Sequence, residues 1–241
     1  MHGFRDSTSL AFVTAVNDRS ILRRRLLASE CLRGGRWPLR VHEDCPSAAA
    51  AFNPEVRGNL RGDWLVWVHQ DVHLPRGWDQ RFRDELRLAS SRWPRLAVVG
   101  VYGVLGTEHV GHVLWRGLLL HPQRALPCPT DSLDELLFAV RRDSGLTLDP
   151  ALGFDFYGTD LVLQARAQGL DCAVVDAPCV HWTRELPNAA PKARTVARVL
   201  ASAEVFERKW AHALPVVTSC VAIERPGDTR RLVRRMGWPL I

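Results

Sequence analysis

The stretch Trp64–Trp78, WLVWVHQDVHLPRGW, decides the fold. Trp64 to Val68 is an unbroken apolar run, the pattern of a strand buried on both faces, as in a parallel sheet. The chain then delivers His69, Asp71 and His73 before Pro75, a residue that ends strand pairing. In a continuing strand, residues 69, 71 and 73 share one face, while Gln70 and Val72 take the other. Ligands of open α/β sheets sit outside the carboxyl ends of the strands. A carboxylate with imidazoles on one face is a half-shell for a divalent cation. Two histidines in such a place can also simply bond nearby loops. A core has no use for three polar groups at a strand end, however, and the pattern favours function.

Working outward, LAFVTAV (10–16) reads as a buried strand ending at Asn17-Asp18. Asp18 or Ser20 can cap the next segment, where Leu22, Leu26, Leu27 and Cys31 recur at helical spacing until Gly34-Gly35. PLRVHED (38–44) reads as a second strand, 46–60 as a helix interrupted by Pro54, and 78–90 as another helix. Residues 95–106 form a further strand running into glycines 100, 103 and 106, whose spacing is not that of a nicotinamide-binding loop. Strand and helix alternate throughout, which predicts an α/β fold: a doubly wound, mostly parallel sheet with helices on both faces. Farther on, 112–120 could be a strand, and 131–142 is apolar with flanking acids that could start a helix. A helix is expected over 157–169, closed by Gly169, then a strand over 172–178 and a long helix over 191–214. No repeat or linker divides the chain. The expectation is a single domain over 1–215, with halves 9–106 and 107–215, and a C-terminal extension over 216–241.

The 241 residues are 46% hydrophobic and 24% charged, ordinary for a globular protein rather than a disordered one. The net charge of +6 invites a nucleic-acid reading, but of the 32 basic residues only Lys192 and Lys209 are lysines. That skew reflects composition more than phosphate contacts, so no nucleic-acid partner is expected. Six cysteines form no CxxC pair, which suggests reduced thiols in a cytoplasmic protein. No apolar run approaches the roughly 20 residues of a membrane span, and residues 1–16 do not read as a signal peptide.

The motif VHQDVHLPRGW resembles the DxD region of GT-A-fold glycosyltransferases of family 2, particularly the small branch in which HQD replaces the acidic pair. Three further stretches are similar to that family in the family's order. They are SAAAAFNPEVRGNLRGDWLVW (47–67), FYGTDLVLQARAQGL (156–170) and APCVHW (177–182). The resemblance implies a nucleotide-binding half over 9–106, an acceptor half over 107–215, and an inverting transfer of sugar from a nucleotide-sugar to a hydroxyl acceptor. The acceptor would be a glycan, a lipid-linked molecule or a small molecule. It implies a divalent metal, Mn2+ or Mg2+, held by Asp71 and His181, with His69 in the place of the first acid and His73 as a further candidate. A neutral imidazole at His69 removes one negative charge from such a site. It implies that Asp160 is the catalytic base, and the first turn of a helix does favour an ionised carboxylate there. Asn17, Asp18, Glu43 and Asn53 are the other candidate donor contacts, and Asp134 and Glu135 could line the acceptor side. The alternatives are a nucleotide- or sugar-binding protein without turnover, and a metal-dependent hydrolase built on His69, Asp71, His73 and His181.

The C-terminal RPGDTRRLVRRMGWPLI combines Leu232, Val233, Met236 and Trp238 with Arg230, Arg231, Arg234 and Arg235 in a short helix that Asp228 can cap. Such a helix suits an anionic membrane surface, placing the protein at the inner membrane, or docks on its own body or on a second subunit.

Overall fold

The computed structural model describes residues 8–115, 118–120, 124–182 and 191–239. The expectations drawn from residues 1–7, from the middle of the 112–120 strand and from residues 240–241 lie outside them. The first half comprises β1 (Leu10–Val16), α1 (Arg19–Arg24), β2 (Leu39–Glu43), α2 (Ala48–Arg57), β3 (Trp64–Val68), β4 (Val72–His73), α3 (Trp78–Arg92) and β5 (Leu96–Gly100). There follow β6 (Tyr102–Leu105), β7 (Glu108–Gly111), β8 (Val113–Trp115), β9 (Leu118–Leu120), β10 (Cys128–Pro129), β11 (Ser132–Leu133) and β12 (Leu137–Arg141). The chain continues with α4 (Tyr157–Ala167), β13 (Asp171–Val174), β14 (Cys179–His181) and α5 (Ala193–Lys209). It closes with β15 (Val216–Val217), β16 (Ala222–Ile223) and α6 (Asp228–Arg235).

The central sheet has seven strands in the order β10-β13-β5-β12-β3-β1-β2. β2, β1 and β3 are mutually parallel, β5 and β13 are parallel to each other, and β12 runs antiparallel between β3 and β5. The mostly parallel α/β architecture follows the expected alternation. The insertion of β12 does not, because residues 131–142 could also have started a helix. Their apolar stretch Leu137–Val140 is buried on both faces, as a central strand requires, and a helix would leave one side of it wet.

The two faces of the sheet separate cleanly by strand parity. Leu10, Phe12, Trp64, Val66 and Val68 pack with Leu22 of α1 and with Trp78, Phe82 and Leu86 of α3. Ala11, Val13, Leu65 and Trp67 pack with Phe52 of α2, Leu161 of α4 and Phe206 of α5. Each large side chain buried this way contributes about 1.5–3 kcal/mol. Asp18 caps α1 by accepting from Ser20 N and Ile21 N, as its position in the sequence suggests. Pro54 does not interrupt α2, which runs through it and ends at Arg57. Among the described residues, no helix is long and apolar enough to cross a membrane.

The C-terminal segment is part of the packed body rather than a free tail. Val216 and Ile223 belong to the main core, and Val233 of α6 is 2% exposed against Val196 and Leu200 of α5. α6 thus docks its apolar side on the protein itself, while Arg230, Arg231, Arg234 and Arg235 face outward. Its start is fixed by Glu207, a buried acid of α5. Glu207 Oε1 accepts from Thr229 N at 3.1 Å and Thr229 Oγ1 at 2.6 Å, and Oε2 accepts from Gly227 N. Glu207→Ala leaves these donors unsatisfied, with an expected loss of about 2 kcal/mol. Limited proteolysis checks this, since cleavage between 225 and 239 should precede cleavage elsewhere in that variant.

Candidate active site

The polypeptide after β3 turns instead of extending. His69 accepts from Val72 N at 3.2 Å, so residues 69–72 form a tight turn and the strand alternation breaks. Gln70 holds this turn to the end of β1: its Oε1 accepts from Asn17 N at 3.1 Å and Asp18 N at 3.0 Å, and its Nε2 donates to Asn17 Oδ1. After the turn, β4 pairs antiparallel with β14, setting His181 opposite Val72, and Trp182 N donates to Asp71 O at 3.1 Å. This pairing carries His181 to Asp71, with Nε2 3.6 Å from Oδ2. Ligand atoms of His69, Asp71 and His181 all lie within 4.8 Å of one another.

The ring of His69 is oriented from behind. Its Nε2 is 2.8 Å from Tyr157 Oη, and the same hydroxyl receives Trp67 Nε1 at 3.1 Å. Burial holds His69 below the ordinary imidazole value, against the pull of Asp71. Burial alone would also lower His181, but its hydrogen bond and charge interaction with Asp71 lift it above the usual range. The reverse holds for Asp71, where burial would raise the carboxyl and the His181 hydrogen bond keeps it low. Two imidazoles and an ionised carboxylate, with the imidazole of His69 braced by a hydroxyl, fit a divalent transition-metal ion. They suit Mg2+ less, since that ion favours oxygen donors.

The cluster lies beside a cavity of about 340 Å³ lined by Asn17, Asp44, Trp67, His69, Asp71 and Arg198, among others. Of the expected donor contacts, Asn17 borders this cavity. Asp18 is used as the cap of α1, and Glu43 pairs outward with Arg19 at 2.8 Å. Asn53 is structural, bonding both the carbonyl and the amide of Leu148 at 2.8 Å. His73 does not join the cluster: its Nδ1 is 3.4 Å from Arg25 O and 3.5 Å from Ser29 Oγ, because the turn reverses its facing.

Asp160 departs most from expectation. It is 0% exposed and borders no part of the cavity. Its carboxylate accepts from Trp210 Nε1 at 2.7 Å and Gln164 Nε2 at 2.6 Å and pairs with Lys209 Nζ at 2.7 Å. A group so enclosed cannot take a proton from a substrate in the cleft. Its place in the first turn of α4 is real, but α4 turns it toward α5.

Some residues at or behind the cavity carried little signal in the sequence, whereas Glu135, already a candidate for the acceptor side, lines a neighbouring cavity. Gln70 lies inside the HQD motif, and Tyr157 inside the FYGTD stretch. Arg198 is one arginine among many on a long helix, and only its pairing with Asp155, at 2.9 and 3.0 Å, shows that it is held in place. Glu135 begins the run into β12. Burial, then the adjacent Asp134, pushes its carboxyl up to about 8.

No family model matches the sequence. One curated relative, ORF 6 of the ATP synthase subunits region of Fuscovulum blasticum, is 26% identical over 151 residues, covering 57% of this chain. The chain spans 59% of that relative's length. Among solved structures, the mannosyltransferase PcManGT from Pyrobaculum calidifontis, in complex with GDP-Man and Mn2+, superposes with a TM-score of 0.54 at 12% identity. That match covers 96% of this chain and 69% of the other. GalNAc-T7 with UDP, GalNAc and Mn2+ gives 0.54 at 13% identity, over 97% of this chain and 55% of the other. The architecture is therefore that of the GT-A glycosyltransferases.

If Asp160 is structural, Asp160→Ala should cost about 3 kcal/mol, the lower end for breaking a buried pair, because Lys209 is partly exposed and keeps Asp149. Denaturant melts check this. A drop below about 1 kcal/mol would mean the carboxylate is not a structural anchor.

Proposed function

We propose that the chain is a metal-assisted glycosyltransferase that moves a sugar from a nucleotide-sugar donor to a hydroxyl acceptor. The observation that carries this reading is the convergence of His69, Asp71 and His181 at the carboxyl end of β3, beside a cavity on a GT-A fold. The mannosyltransferase and GalNAc-T7 neighbours, each solved with Mn2+ and nucleotide ligands, support it by analogy of fold. A divalent cation on Asp71, His181 and His69 would stabilise the negative charge that develops on a departing nucleotide diphosphate. Arg198, at the cavity wall and steadied by Asp155, adds a fixed positive charge facing the same space.

With Asp160 enclosed, the role of base passes in this proposal to Glu135, which lines a neighbouring cavity that shares Arg198 with the donor cavity. A carboxyl raised to about 8 suits proton abstraction from an acceptor hydroxyl once it is ionised. An inverting displacement, in which the acceptor oxygen attacks the anomeric carbon as the diphosphate leaves, requires only this one protein base. The enclosure of Asp160 is also what favours the second reading, a nucleotide-sugar-binding protein without turnover. The hydrolase alternative loses a ligand, because His73 is committed to the Arg25–Ser29 turn.

Two measurements test the proposal. Calorimetric titration of GDP and UDP with and without Mn2+ should show metal-enhanced binding to the wild type, and Asp71→Ala should remove that enhancement while leaving the far-ultraviolet spectrum unchanged. Unchanged enhancement in the variant would remove the metal site from the reading. For the base, Glu135→Gln should lower sugar transfer by about 10²- to 10⁴-fold while donor binding persists. Wild-type transfer should rise as pH climbs toward about 8, because the carboxyl must lose its proton before it can accept one. That rising limb should vanish in the variant. Donor binding without transfer or donor hydrolysis in the wild type would favour the second reading.

A further inference from the structure

A second cavity, of about 320 Å³, lies between α5, the β15–β16 hairpin and α6. Its walls are largely carbon: Phe156, Val196 and Val199, then Val233 and Trp238 from the C-terminal segment. Glu135 and Asp155 also line it, and Arg198 lines this cavity and the donor cavity alike. The two spaces therefore adjoin at one residue, Arg198, with Glu135 and Asp155 on the side of the apolar one. Its volume is at the lower end of that found for small-molecule sites, roughly 300–1,000 Å³. Water gains few hydrogen bonds against such walls, whereas a hydrocarbon group gains its transfer free energy.

We infer that this cavity receives the apolar part of the acceptor, so that the acceptor class is an amphiphilic alcohol. Its hydroxyl stands at Glu135 and its hydrocarbon lies against Val196, Val199, Phe156, Val233 and Trp238. The inference rests on the transferase reading for the meaning of "acceptor". The occupant is set by position: the cavity adjoins the proposed donor site through Arg198, and it holds two carboxylates, Glu135 and Asp155, that can accept a hydroxyl hydrogen. The C-terminal segment then contributes to the site, because Trp238 and Val233 form one wall.

The test uses the full chain and n-butyl, n-hexyl and n-octyl β-D-glucoside, each below its micelle threshold, titrated by calorimetry. Affinity should improve about three- to fourfold per methylene buried. Val199→Phe fills the cavity and should flatten this dependence, with GDP and UDP binding in Mn2+ reporting that the variant is folded. Trp238→Ala removes one wall and should weaken the octyl glucoside at least fivefold. Affinity independent of chain length, or the same dependence in Val199→Phe as in the wild type, overturns the inference. The two readings fail separately. Chain-length dependence without nucleotide binding would overturn the transferase reading and leave an apolar site, whereas nucleotide binding without chain-length dependence would overturn the acceptor class alone.

Discussion

The pairing of β4 with β14 is the constraint on which the site depends. It is short, with Val180 opposite His73 and His181 opposite Val72, yet it joins the turn after β3 to a segment late in the chain. Without it Asp71 would be a lone carboxylate at a strand end, and lone acidic residues rarely hold a cation. With it, a carboxylate and two imidazoles converge, and the Asp71–His181 charge pair favours the arrangement. Burial lowers His69, and the same burial is overcome at Asp71 and His181 because they face each other. The pairing is itself supported from both sides. Gln70 ties the turn to β1, and β8 pairs parallel to β14 along its outer edge.

Behind the cluster, Trp67, Tyr157 and the carbonyl of Glu135 form a buried hydrogen-bonded group. Trp67 Nε1 donates to both Tyr157 Oη and Glu135 O at 3.1 Å. This links the imidazole of His69, the helix α4 and the run into β12 in one unit. The same backbone that presents Glu135 therefore also braces His69. A change at Tyr157 would act on both sides of the cleft, which is why a tyrosine rather than an apolar residue is useful in an otherwise dry interior.

α5 has a comparable double role. Its inner face buries Phe206 in the core and anchors Asp160 through Lys209 and Trp210, and farther along it places Arg198 at the cavity wall. Glu207, on the same helix, fixes the start of α6. One helix thus sets the enclosure of Asp160, the arginine at the cavity wall and the packing of the C-terminal segment.

The sequence alone determined the buried strands β1 and β3, the cap at Asp18, the left-handed turn at Gly169 just after α4, and His69, Asp71 and His181 as candidates for the site at the end of β3. The strands, cap and turn follow from local rules: continuous apolar runs for strands buried on both faces, side-chain oxygens at helix starts, and glycine where the backbone must turn left-handed. Of the three candidates, His181 was nameable through family resemblance. Only the tertiary structure decided the rest. It separated His73 from the cluster because a turn, not a strand, follows Val68. It enclosed Asp160, because which side of an amphipathic helix faces a cleft depends on what packs there, here α5 with Lys209 and Trp210. It inserted β12 between β3 and β5, and it brought Arg198 to the cavity wall from a long helix with no distinguishing pattern. Contacts between residues so far apart are set by the packing of whole elements, and no local spacing records them.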